Sequence, residues 1–342
     1  MAIGRAEVAG RQQAFRGDGN RRPPQHLLLA MALAASAAAA SAQSQDYPSK
    51  SIRVVIPYAP GGATDTPGRI VITKLSETSR FQTVIDNRPG AGGTVGAGIV
   101  ARAAPDGYTL LITSTTHVIA GQLYKNLGYH PVDDFTGVMQ FGVSPNVLVV
   151  HPSLPVHSVQ DLVALARTRP GQIDYASSGI GTTQHMLAEL FQYLSGTRMR
   201  HIPYQGGRPE IDVVSGRVQV WFVGVARAIP HVKAGQVRPL ATTGERRPKA
   251  FSDLPTIAEA GVKGYAGESW HVLLAPKGTP ARIVGALQGE LVKAVAVPDV
   301  EKRFNGTGNE VLTATGAQVE TMLRADYERW GKVIRASGQK GE

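Results

Sequence analysis

The chain has 342 residues, 42% hydrophobic and 18% charged, with a formal net charge of +10 and no cysteine. That length suits two lobes better than one small core, and the apolar–charged balance excludes disorder as the main state. Without cysteine there is no disulfide, no thiolate catalysis and no cysteine-held zinc or iron–sulfur site.

The N-terminus carries an export pattern. Arg21-Arg22 precede a Leu/Ala-rich stretch from Leu27 to Ala40, and Ala40-Ser41-Ala42 supplies small residues for cleavage. A positive end, a short apolar middle and a small-residue exit form a secretory signal, expected over residues 1–42. The stretch is short for a membrane span of about 20 residues. Pro23-Pro24 fits a twin-arginine signal poorly. Residues 1–20 read as an extended leading region or as sequence ahead of the true start. Beyond residue 42 the chain holds 31 basic and 24 acidic residues, spread out, for a net charge of +7. No basic run with interleaved aromatics is present, so no nucleic-acid partner is expected. Mild basicity would draw in an anion, but a solvated basic surface explains it equally well.

The first mature element is a β-branched run, Ser51 to Pro57, expected as a buried strand. Tyr58-Ala59-Pro60-Gly61-Gly62-Ala63-Thr64-Asp65-Thr66-Pro67 then turns the chain into a helix reaching about Ser79. Thr64, Asp65 and Thr66 are cap candidates, and Pro67 suits a first helical turn. A strand from Thr83 to Asp86, a helix from Thr94 to Ala103 and a strand from Thr109 to Thr113 follow. Ser114-Thr115-Thr116 offers another hydroxyl-rich helix start. A second series begins with a strand from Asn146 to Val150. Ser158 caps the next helix, with Asp161 three residues on. A strand over Ile173–Ala176 runs into Ser177-Ser178-Gly179-Ile180-Gly181-Thr182-Thr183 and a helix to Leu194. Strands are expected at 199–203 and 218–223. A strand at 271–275 returns to the first series, and helices near 280–296 and 317–336 finish the chain. This rhythm predicts an α/β protein with largely parallel sheets flanked by helices, in two lobes, with crossings near 145 and 270. Lobe 1 comprises 43–146 plus 269–342, and lobe 2 comprises 147–268.

Three loops, 58–66, 114–117 and 177–183, share one character. Each leaves a strand, carries Ser/Thr, in two cases with Gly, and opens a helix. Helix starts leave unpaired N–H groups, and the macrodipole there favours an anion. Glycine admits close approach to the backbone, and hydroxyls add uncharged donors. In open α/β sheets ligands lie beyond the carboxyl ends of strands. Ordinary helix capping uses the same residues, and the sequence alone leaves both roles open.

Other motifs exclude chemistry. Gly90 to Gly96 reads G-x-G-x-x-x-G, set off from its strand by Asn87-Arg88-Pro89, so tight helix–sheet packing explains it better than dinucleotide binding. Nine histidines form no H-E-x-x-H, and no metal site or cofactor is expected. Ser177-Ser178-Gly179 is no nucleophile elbow. His185 reads as a loop brace. Trp221 and Trp270 read as core or lobe-interface residues rather than ligand platforms.

At these residues the sequence resembles the tripartite tricarboxylate transporter substrate-binding family, also called the Bug family. The match runs from Tyr47 to about Gly338. It rests on Tyr47-Pro48-Ser49-Lys50, Pro60-Gly61-Gly62-Ala63-Thr64-Asp65, Asn87-Arg88-Pro89-Gly90-Ala91-Gly92-Gly93, Pro105-Asp106-Gly107-Tyr108-Thr109 and Tyr175-Ala176-Ser177-Ser178-Gly179. It continues in His201-Ile202-Pro203-Tyr204, Gly206-Gly207 and Leu274-Ala275-Pro276-Lys277-Gly278-Thr279-Pro280. The resemblance implies a two-lobed, type II-like periplasmic-binding-protein fold that closes on a small carboxylate, an aromatic acid, an amino acid or an amide. It implies a periplasmic monomer that catalyses nothing and delivers its ligand to membrane permease subunits, or to a sensor kinase. Carried over, the ligand-binding residues are Tyr58, Ala59, Gly62, Ala63 and Asp65 in the first lobe. Ser178, Gly179, Thr182, Thr183 and Tyr204 serve in the second, with Thr115 and Thr116 between them. The family often has Asp where this chain has Gln219 and Val223. Val223, with Ile180 in place of a polar loop residue, points away from amino acids and towards a ligand with an apolar middle. The rival reading, a secreted hydrolase or dinucleotide enzyme, lacks a visible nucleophile–base pair or cofactor fingerprint.

Overall fold

The computed structural model describes residues 47–204 and 208–338. The expected signal segment and Gly206-Gly207 lie outside the described residues. From Lys50 onward the chain forms one compact unit, built on two sheets.

The first sheet opens with β1 (Ile52–Ile56), β2 (Thr83–Asn87) and β3 (Thr109–Ser114), which are parallel, β1 lying between the other two. Each strand is followed by a helix: α1 (Asp65–Thr78) after β1, α2 (Thr94–Ala101) after β2 and α3 (Thr116–Leu123) after β3. The chain then enters β4 (Phe135–Ser144), turns at Pro145 and enters the second sheet as β5 (Asn146–Val150). Helix α4 (Val159–Thr168) starts where expected, with the Ser158 hydroxyl accepting from Asp161 N–H at 3.1 Å. Strand β6 (Asp174–Ser177) leads through the glycine loop to α5 (Thr183–Ser195), and β7 (Arg200–Pro203) pairs in parallel with β6. A short helix α6 (Pro209–Val214), strand β8 (Val220–Gly224), helix α7 (Val225–Lys233) and strand β9 (Arg238–Thr242) complete this half. The chain returns through β10 (Ser269–Pro276), α8 (Ala281–Val295), α9 (Pro298–Gly306), β11 (Ala314–Thr315) and α10 (Gly316–Ser337).

The strand orders are β11-β4-β10-β3-β1-β2 and β7-β6-β8-β5-β9. The α/β class stands, but both sheets are mixed rather than largely parallel. The antiparallel pairs are β3 with β10, β4 with β10, β4 with β11, β5 with β8 and β5 with β9. The reason lies in the connections. Parallel neighbours need a helical crossover back to the same sheet edge. β5 and β10 instead enter from the other sheet, so nothing forces them parallel.

Strand alternation sorts the second sheet's core. Leu148 and Phe222 face one apolar cluster, while Val147, Val149, Trp221 and Val223 face another. Trp221 and Trp270 are both buried. Gly96 shows why the glycine run after β2 is needed: a Cβ there would lie 2.7 Å from Pro57 Cβ and 2.9 Å from Arg88 O. Among the described residues no helix is long and apolar enough to cross a membrane. None of their His, Asp and Glu side chains gather in threes to hold a metal.

Candidate functional site

A cavity of about 570 Å³ is lined by strand ends and helix starts from both sheets, within the usual size range for small-molecule pockets. All three hydroxyl loops reach it. From the first come Tyr58, Gly61, Gly62, Ala63, Thr64 and Thr66; from the second, Ser114 and Thr116; from the third, Ser178, Thr182 and Thr183.

The first loop is held from behind. Asp65 is fully buried and accepts from Gly61 N–H (2.8 Å), Arg69 Nε (2.8 Å) and Asn87 Nδ2 (2.7 Å). Burial raises its pKa, but these donors, Arg69 foremost, outweigh that and hold the carboxyl below its ordinary range. Asn87 Nδ2 also reaches Tyr58 O at 3.0 Å. The Tyr58 hydroxyl bonds Thr116 Oγ1 at 2.5 Å and Thr113 Oγ1 at 3.1 Å. Gly93 gives this ring room: with φ +97°, its Cβ would sit 3.0 Å from Tyr58 Cε1. With the loop so fixed, the N–H groups of Ala63 and Thr64 find no backbone acceptor among the described residues. The same holds for Thr183 and Gln184 at the start of α5. Thr182 caps that helix, accepting from His185 N–H and donating to Gly179 O at 2.8 Å. His185 braces the loop as expected, its Nδ1 accepting from Gly181 N–H at 3.2 Å. Free amides at two helix starts, ringed by hydroxyls, can neutralise a carboxylate without a formal positive charge.

Of the expected ligand residues, Tyr58, Gly62, Ala63, Thr116, Ser178, Thr182 and Thr183 line the cavity, while Ala59, Asp65, Thr115, Gly179, Tyr204 and Val223 do not. Asp65 is occupied within its loop. Ala59 O accepts from Gly62 N–H, and Gly179 O accepts from Thr182, so both close turns. Thr115 is buried and ties its loop to the second crossing: its hydroxyl donates to Glu268 O at 2.8 Å and accepts from Trp270 N–H at 3.2 Å. Tyr204 donates to Asp212 at 2.7 Å. Val223 is fully buried, opposite Val147 in the sheet. The inference about ligand type drawn from Val223 therefore falls.

Sequence reasoning missed the walls supplied by Ser144-Pro145-Asn146, Gly224 to Arg227, Ser269, His271 and Thr307-Gly308-Asn309. Only the 224–227 stretch carried a signal, being another strand end running into a helix. His271 is buried, and Ser144 Oγ contacts its Nε2 at 2.8 Å. Burial pushes this imidazole down to about 4, against a small opposing bond from Asn309, so it is neutral at pH 7. A Ser–His contact thus does face the cavity, despite the expectation of none. Its polarity is wrong for a nucleophile. The Ser144 hydroxyl donates to Asn309 Oδ1, and among the described residues the buried His271 Nδ1 has no hydrogen-bond partner to orient the ring.

Comparison with known proteins decides the family. Residues 68–339 match TctC, the tripartite tricarboxylate transporter family receptor. The chain belongs to this family. Protein BugT of Bordetella pertussis is 32% identical over 297 residues, covering 86% of this chain and 91% of BugT. The Rhodopseudomonas palustris protein Rpa4515, solved with adipate, is 37% identical with a TM-score of 0.70, over 86% of this chain and 99% of its own. MatC from Rhodopseudomonas palustris, solved with bound malate, is 28% identical with a TM-score of 0.67, over 84% of this receptor and 100% of MatC. Family members bind solutes and are not enzymes.

Proposed function

We propose that this receptor captures a small carboxylate in the cavity between its two sheets and delivers it to the membrane permease subunits of a tripartite tricarboxylate transporter. The observation that carries this reading is the pair of helix starts with free amides, at Ala63-Thr64 and Thr183-Gln184, on one hydroxyl-lined cavity. The similar proteins holding adipate and malate support it. Ligand contacts fall to Tyr58, Gly62, Ala63, Thr116, Ser178, Thr182 and Thr183. The two sheets serve as lobes, 43–146 plus 269–342 and 147–268, which close about Pro145 and the segment before Ser269. The export pattern over residues 1–42 supports a periplasmic site of action.

Titration calorimetry of the mature protein tests the reading. Linear C4–C6 acids should bind saturably, and Thr182→Trp should abolish binding. That variant should lose only the stability of its cap, about 1 kcal/mol. No heat with any organic acid, or undiminished binding by the variant, would sink it.

A further inference from the structure

Arg227 is the one charged side chain among the described residues that line the cavity. Every other polar group there is a hydroxyl, an amide or the neutral His271. Neutral donors suffice for one carboxylate. A second negative charge in the same enclosure needs a formal partner, because an unpaired buried charge is expensive.

Arg227 is poised to be that partner. It sits in the first turn of α7, with its guanidinium carbon 5.6 Å from the centre of the Trp221 ring. One terminal nitrogen, Nη2, donates to Glu210 Oε2 at 2.6 Å. Its Nε and Nη1 donors have no acceptor among the described residues. The planar fork therefore has donors left for a carboxylate. The side chains of Arg227 and Glu210 are 44% and 24% exposed, and a pair so open to water contributes little, so exchanging partners is cheap. The chain brings this charge close to the first sheet: a Cβ on Gly308 would meet Ala226 Cβ at 2.2 Å.

We propose that Arg227 receives the second carboxylate of a linear dicarboxylate, in competition with Glu210, and so makes the cavity select dianions over monoanions of equal length. This rests on the carboxylate reading above. The free-amide helix starts hold one end, and the Arg227 fork holds the other. Glu210 keeps the fork in place when the cavity holds no dianion.

The test is calorimetry with matched pairs, adipate against hexanoate and succinate against butyrate, on the mature wild type, Arg227→Gln and Glu210→Gln. The wild type should bind the better diacid at least about tenfold more tightly than its monoacid. Arg227→Gln should erase that preference and leave monoacid affinity within about twofold. Glu210→Gln should tighten the diacid several-fold and leave the monoacid alone. Equal loss of diacid and monoacid in Arg227→Gln, or no change in either, overturns the proposal while the carboxylate reading survives. A wild type that binds neither member of either pair overturns the proposal, and the carboxylate reading falls with it if no other organic acid gives heat.

Discussion

The two halves of the cavity are built on different principles. On the first sheet, the loop before α1 is locked by hydrogen bonds centred on the buried Asp65 and the half-buried Tyr58: Asp65 joins Gly61, Arg69 and Asn87, and Tyr58 joins Thr113 and Thr116. On the second sheet, the only charge that faces the cavity among the described residues is carried by a half-exposed side chain held by one ion pair. The first half presents donors fixed before any ligand arrives, as preorganised binding requires. The second half presents a side chain that can change partner. Discrimination by the second half works only if the first half does not move.

Removing Asp65 should break this contrast most severely. Asp65→Ala removes the buried acceptor shared by Gly61 N–H, Asn87 Nδ2 and Arg69 Nε, at a cost on the order of 3 kcal/mol. Urea unfolding should show that loss. Calorimetry should show hexanoate and adipate weakened together, since the shared cradle is lost. A variant with wild-type stability would mean that the loop is held by something other than this carboxylate.

A second, smaller effect sits where the halves meet. Glu268 lies at the second crossing, its backbone carbonyl bound by Thr115. Burial pushes its carboxyl up to about 7; Glu310 and Glu245 add to the shift and Arg246 opposes it. The folded state thus binds this proton more tightly than the unfolded chain, whose ordinary value is 4.5. The Glu268 contribution to stability is therefore present below about pH 4.5, falls as pH rises towards 7, and levels off above. Glu268→Gln should raise stability by on the order of 2 kcal/mol at pH 8 and leave it nearly unchanged at pH 4.5. Chemical unfolding at the two pH values reads this directly, and an equal change at both would refute it.

The sequence makes the rhythm of this fold legible, and with it the convergence of three loops on one cavity. Strand ends that run into hydroxyl-rich helix starts are local features, and the α/β layout puts them on a common rim. What it hides is side-chain direction and distant pairing. Tyr204 carries over from the family and Val223 reads as a departure that reshapes the site, yet strand alternation turns Val223 towards Val147, and Asp212 draws Tyr204 away. β4 escapes notice because Gly137 and Gly142 interrupt its apolar pattern. Both glycines serve close packing: a Cβ at Gly137 would lie 2.4 Å from Gly316 O, and one at Gly142 would lie 2.5 Å from Phe304 Cε1. Ser144 meets His271 across 127 residues of chain, a pairing that no local pattern announces.

The smallest expected effect sharpens the comparison most. If the second half is adaptable, its charge should matter for ligand choice and hardly at all for folding. Arg227→Gln removes an exposed ion pair and a cation–aromatic contact, together worth less than about 1 kcal/mol. Its urea midpoint should stay close to wild type, far above that of Asp65→Ala. Glu210→Gln should behave alike, and the double variant should lose no more than the larger single loss, because one shared contact disappears only once. A loss in Arg227→Gln as large as that in Asp65→Ala would show that both halves are rigid. Selection between ligands would then have to come from cavity shape, since no side chain would be free to exchange partners.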